Sequence, residues 1–283
     1  MGKQIQLYRR LIYAPLAWRI IAFLVTLVIL WSPFALTFYS IGGLTGQSDV
    51  MNALALIALY GCFLGHAWFW GRWGHAWPKP FQTYGLVCCQ RFFRDLAFAI
   101  AFGFALVCLL FGIEVLCGWA SFHPQPLTRI VVEGLAVGLA FGFAEELLFR
   151  GWLQTELQQN LPRSQAIVWS SLIFAIAHFI KPLPDILRTS PQFLGLLLLG
   201  LILGCGRYIY FRKRSFASLG LPMGFHGGLI WGYYIVDVGD LVLPSGQVPE
   251  WVTGIHGNPL SGILGVSILV CLTAYVCFKL RSK

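Results

Sequence analysis

Four side chains combine acid–base chemistry with an apolar neighbourhood: Glu145, Glu146, His178 and His226. Each lies in a run of aliphatic and aromatic residues of the kind that crosses a bilayer. An ionisable group there is costly and marks function by default. Glu146 and Arg150 are spaced i,i+4, the favourable order for an ion pair on a helix, so Glu146 can be neutralised within its own segment. Neighbours on a helix point about 100° apart, so Glu145 and Glu146 do not both face one small cavity. Glu145 is left without a helical cation partner, which frees it to act as a general base. The competing reading is a structural polar knot of Glu145, Glu146 and Arg150 between helices.

Depth joins the histidines to the carboxylate. With a rise of about 1.5 Å per residue, Glu145 lies roughly 18 Å from a helix end near Leu157, His178 roughly 22 Å from Arg163, and His226 roughly 15 Å from Ser215. Three segments running in alternate directions thus bring one carboxylate and two imidazoles to similar depth. This arrangement suits hydrolysis in a cavity reached from the cytoplasmic side. Glu145 would take a proton from water, His178 would hold that water, and His226 would donate to a carbonyl oxygen as negative charge develops on it. The same three side chains would also make three zinc ligands with water as the fourth, although the sequence has no His-Glu-x-x-His helix. Composition and spacing leave both chemistries open.

The elements that must position these groups are membrane helices. The 283 residues are 58% hydrophobic and 11% charged, with a mean hydropathy of +0.73. An ordinary soluble domain carries about 25% charged residues, so a soluble enzyme and a disordered chain are both excluded. Eleven Trp and 16% aromatics suit two lipid–water interfaces. A spanning helix needs about 20 mostly apolar residues. Eight candidates meet or approach this, over residues 20–38, 53–71, 96–116, 130–149, 166–180, 193–210, 217–236 and 260–278. The fourth continues as helix past Arg150 to about Leu157, before Pro162 breaks it.

With the N-terminus in the cytoplasm, 17 Lys and Arg fall on that side and only Arg129, Lys181 and Arg188 on the other. This is a positive-inside pattern. It assigns the +9 net charge to topology rather than to a nucleic-acid partner, and it sets both termini in the cytoplasm. The expected fold is therefore an all-α polytopic membrane protein of about eight helices. Residues 1–283 form one integral membrane domain, with a core over 130–236. The first span is retained, since no cleavage site follows it. The eight cysteines form no Cys-x-x-Cys pair and indicate neither a disulfide frame nor a zinc site.

Glycines recur every four residues, at Gly134, Gly138 and Gly142, at Gly200 and Gly204, and at Gly220, Gly224, Gly228 and Gly232. Small residues at this spacing let helices approach closely in lipid, so the fourth, sixth and seventh spans are expected to form a tight bundle. His66, among Trp68, Trp70, Trp73 and Trp77, is expected to face an interface. His123 and His256 fall in outer loops, and Glu133 is expected to meet solvent or Arg129.

The motif Glu145-Glu146-Leu147-Leu148-Phe149-Arg150 resembles the Glu-Glu-x-x-x-Arg signature of the CPBP (Abi) family, which groups CAAX-processing endopeptidases with bacteriocin-immunity proteins. Phe174-Ala175-Ile176-Ala177-His178 is similar to its second motif, and His226 in Gly224-Phe225-His226-Gly227 to its third. The likeness covers about 130–236, with a similar glycine-rich stretch through Gly257-Asn258-Pro259. It implies an eight-helix intramembrane glutamate protease, similar to the Ras-converting CAAX endopeptidase, acting near the cytoplasmic face. Glu145 would be the water-activating base, with Glu146, Arg150 and Phe174 in support. His178 would orient water and His226 would serve the oxyanion. No cofactor is implied, and zinc at Glu145, His178 and His226 becomes the lesser alternative. The partners implied are the bilayer and a membrane-embedded or lipid-anchored protein, in a bacterial plasma membrane or another internal membrane. Ile230 departs from the pattern, because the third motif usually has Asn or Asp there. That keeps open an inactive member acting as a scaffold, chaperone or immunity factor.

Overall fold

The computed structural model describes residues 2–209 and 217–281. Tyr210, the expected end of the sixth span, the depth mark Ser215, and the cations Arg212, Lys213, Arg214 and Lys283 lie outside the described residues. The chain divides into two compact units, Met1–Thr83 and Tyr84–Lys283.

The first unit is built on a helical hairpin. Helix α1 (Gly2–Ile12) precedes α2 (Leu16–Thr45) and α3 (Ser48–Phe69), and α3 runs on through a wider π-helical turn over Trp70–Gly74. Helix α4 (Pro80–Thr83) ends the unit. The α2–α3 reversal needs a left-handed residue, and Gly46 supplies it at φ 72°, its N–H donating to the Gly42 carbonyl. His66 does not face an interface as expected. It is buried against Phe23, with ring centroids 4.3 Å apart, and both ring nitrogens have hydroxyl partners. These are the Tyr8 hydroxyl at 3.2 Å and Thr26 Oγ1 at 2.8 Å. The surrounding aromatics gave the expectation, but hydroxyl partners on α1 and α2 make the interior the better place for an imidazole.

The second unit carries the three motifs. Helix α5 (Gln90–Leu116) leads to strand β1 (Ala120–Phe122) and α6 (Thr128–Glu146). A π-helical segment over Leu147–Leu153 joins α6 to α7 (Gln154–Leu157). Then come α8 (Arg163–Ala177), α9 (Leu183–Thr189), α10 (Phe193–Gly206) and α11 (Gly220–Val238). Strand β2 (Val242–Pro244), α12 (Glu250–Thr253) and α13 (Ile263–Arg281) complete it. The strands form a short antiparallel ribbon with Ser121 opposite Leu243.

The glycines decide which helices touch. A Cβ on Gly138 would strike the Gly227 carbonyl, and one on Gly228 would strike the Ile100 carbonyl. Helix α11 is therefore clasped between α5 and α6. Gly220, Gly224, Gly228 and Gly232 all meet α5, while Gly134, Gly138 and Gly142 of α6 meet α11. Gly200 and Gly204 instead admit α8, through Ser171 and Ile167. The expected fourth–sixth–seventh bundle is corrected by this pairing: the seventh span packs between the third and fourth, and the sixth against the fifth. The spacing marked close approach, but not the partner.

Among the described residues, five helices are long and apolar enough to cross a membrane: Leu16–Thr45, Ser48–Gly74, Gln90–Leu116, Leu183–Gly206 and Ile263–Leu280. The largely helical, membrane-type architecture follows. The remaining three of the eight expected spans are α6, α8 and α11, the helices that hold the site. Helix α8 is apolar but short. Helix α6 carries Arg129, Glu133, Glu145 and Glu146, and α11 is rich in glycine. Helix α11, clasped by α5 and α6, needs less apolar surface than a helix facing lipid, whereas α6 and α8 keep exposed apolar side chains such as Val132, Phe141, Val168 and Trp169.

Candidate active site

The π-helical segment begins immediately after Glu146. A π turn leaves carbonyls out of the regular ladder, and such turns gather at functional sites. Here they are taken up from outside: Ser170 Oγ donates to the Phe149 carbonyl at 2.9 Å, and Arg207 donates to the Arg150 carbonyl. The widened turn therefore ties α6 to both α8 and α10.

Arg150 and Glu146 form an ion pair of 2.9 Å with neither side chain exposed. Arg150 also donates to the Gly200 carbonyl at 3.3 Å and stacks its guanidinium 4.1 Å over the Phe174 ring. Phe174 in turn packs edge-on against His178, with centroids 4.6 Å apart. Glu146, Arg150 and Phe174 are thus one packed layer against the two histidines.

The hydrogen bonds set the imidazole tautomers. Nδ1 of His178 lies 2.8 Å from the Phe174 carbonyl, which only accepts, so Nδ1 carries the proton. Nδ1 of His226 lies 2.9 Å from Glu146 Oε1, the same oxygen that accepts from Arg150, so it too is a donor. Each ring then presents Nε2 to Glu145. His178 Nε2 is 3.9 Å and His226 Nε2 4.0 Å from one atom, Glu145 Oε2, and that buried oxygen has no hydrogen-bond partner. These gaps are too long for direct hydrogen bonds and suited to one bridging water or substrate atom.

The site thus draws one carboxylate and two imidazoles together from α6, the end of α8 and α11. They line a cavity of 320 Å³ with Phe174, Ile230 and Asn258. Otherwise the walls are mostly aliphatic, from α5, α10 and α13. The cavity's lining comes from the later part of α5, the C-terminal end of α8, the starts of α10 and α13, and residues 258–260, together with Glu145 and His226.

Several other groups are engaged elsewhere. Trp231 donates its indole N–H to the Val131 carbonyl at 2.9 Å, and Glu133 pairs with Arg129 at 2.6 Å. Asn258 was not singled out as a site residue, although Gly257-Asn258-Pro259 just before the last span was a visible turn signal. A zinc ion with bonds of about 2.0–2.1 Å holds tetrahedral ligand atoms about 3.3–3.4 Å apart. The observed 3.9 and 4.0 Å are wider. No group of three or more His, Cys, Asp or Glu among the described residues has metal-holding geometry.

The chain is a helical protein of membrane type with a carboxylate and two imidazoles around an apolar cavity. Residues 126–232 match the family model described as "Type II CAAX prenyl endopeptidase Rce1-like", which supports a CPBP/CAAX protease assignment for this stretch of the chain. No match is found among curated proteins or among solved structures.

Proposed function

We propose that the protein is a metal-independent intramembrane endopeptidase that cuts a membrane-associated, prenylated-type protein. The observation that carries this is Glu145 Oε2, buried, without a hydrogen-bond partner, and about equally distant from two imidazole nitrogens. A water held between Glu145 and His178 Nε2 loses a proton to Glu145 as its oxygen attacks the substrate carbonyl carbon. Negative charge collects on the carbonyl oxygen. Glu145 then returns the proton to the amide nitrogen as the C–N bond breaks, leaving a carboxylic acid and an amine. His226 donates through Nε2 only when doubly protonated, with the Glu146 carboxylate holding its Nδ1–H. The aliphatic cavity walls suit a lipid-modified or transmembrane segment.

In this reading α6, α8 and α11 also cross the membrane, giving eight spans with both termini cytoplasmic. The 19 residues of α11 reach about 28 Å, close to the hydrocarbon thickness of about 30 Å. One observation favours a second reading. Ile230 lines the cavity where a donor is usual, which suits a noncatalytic scaffold, chaperone or immunity factor. Purified protein is tested on internally quenched peptides, with and without a farnesylated cysteine, in the presence and absence of chelator. Cleavage that is unaffected by chelator supports the proposal. Cleavage lost with chelator and restored by zinc overturns the metal-free mechanism, and no cleavage of any peptide favours the scaffold.

A further inference from the structure

The cavity is rich in acceptors and poor in fixed donors: besides Asn258, its one side-chain amide among the described residues is Gln192, which no side-chain hydrogen bond holds in place. In their neutral forms His178 and His226 both turn an unprotonated Nε2 inward, since each Nδ1–H is already committed. Glu145 is an acceptor when ionised, and Ile230 has no polar atom. The Tyr233 hydroxyl, also at the wall, is drawn off to Asp237 and to the Gly257 carbonyl, at 3.3 and 3.2 Å. Hydrolysis nevertheless needs an N–H or O–H aimed where charge develops.

Asn258 meets that need. Its side chain begins the short 3₁₀ turn Pro259–Ser261 by accepting from the Leu260 N–H at 2.9 Å. This bond identifies the accepting atom as Oδ1, because a backbone N–H requires an acceptor. The amide plane is thereby fixed and Nδ2 is left for the cavity that Asn258 lines. The backbone around it is pinned as well. Ser261 Oγ donates to the Asn258 carbonyl at 2.8 Å, and Tyr233 ties the preceding Gly257 to α11. The turn is set by left-handed residues, His256 at φ 56° and Gly257 at φ 74°. A donor on a pinned turn costs little reorganisation during reaction, which is what makes such groups effective.

We propose that Asn258 Nδ2 is the oxyanion donor of this site, reaching in from the turn before α13 rather than from α11. This rests on the proposed hydrolysis. Asn258→Asp keeps an oxygen for the Leu260 N–H and, ionised, carries no donor, whereas Asn258→Ala removes acceptor and donor together. Each is compared with wild type on the farnesylated quenched peptide. The expected result is a fall in kcat of about 100-fold with little change in KM in both, and an unchanged thermal midpoint for Asn258→Asp. Adding Ile230→Asn to Asn258→Asp puts a new amide on the cavity wall and recovers about tenfold of the loss. Unchanged kcat in both single variants overturns the proposal. A fall that Ile230→Asn does not recover assigns Asn258 to holding the turn and overturns the donor role. Glu145→Gln separates the two claims. If it is inactive while Asn258→Asp is fully active, only the donor assignment fails. If Glu145→Gln is itself active, the hydrolytic reading fails.

Discussion

The α2–α3 hairpin and the α6–α8–α11 cluster each bury a histidine among apolar helices, and only the second has the makings of an active site. His66 meets two hydroxyls, at 3.2 and 2.8 Å, and an aromatic ring. Its polar atoms are satisfied by neutral neighbours and it lines none of the described cavities. His226 meets a carboxylate already paired with a buried arginine, and its other nitrogen looks across 4.0 Å at a second carboxylate oxygen that has no partner. Burial of an imidazole is therefore not the signature of the site. The signature is an incomplete polar network at a cavity wall, where a reacting molecule supplies the missing partner.

The largest effect should come from breaking the layer beneath the site. Arg150→Met leaves Glu146 buried beside His226 alone. Removing one partner of a fully buried pair costs about 3–5 kcal/mol. Thermal unfolding in detergent should show a sharply lowered midpoint, together with loss of activity. A midpoint near wild type would mean that the pair does not organise the second unit.

The next effect separates the two histidines. His226→Ala should lower peptide cleavage by about 100-fold or more while the protein stays folded. The smallest effect belongs to the hairpin. His66→Phe should leave cleavage unchanged and lower stability by about 1 kcal/mol, the worth of an ordinary hydrogen bond. Thr26 keeps its bond to the Ala22 carbonyl in that variant. Equal losses of activity in His66→Phe and His226→Ala would erase the contrast.

Much of the second unit was legible in its residues. The i,i+4 spacing of Glu146 and Arg150 was enough to expect their pairing, because that relation is local to one helix. Depth counting grouped Glu145, His178 and His226, because helical rise is nearly constant. What failed was whatever depends on rotation and partner choice. The glycines of α11 announced close contact, yet whether α5 or α10 fills it depends on side chains across the gap. The same limit hid Asn258, whose value comes from a turn that folds back over α11. Composition marked α6 and α11 as candidate spans, though their glycines and charges keep them below the apolar content of the five long helices. The glycines of α11 are tolerated because α5 and α6 clasp it.

The central claim is that Glu145 activates water in this cavity, and Glu145→Gln tests it most directly. The substitution keeps size and one acceptor oxygen while removing the base. Its kcat on the farnesylated quenched peptide should fall by about 10²–10⁴-fold, with KM and the thermal midpoint near wild type. A Glu145→Gln protein that cleaves at the wild-type rate would contradict the account.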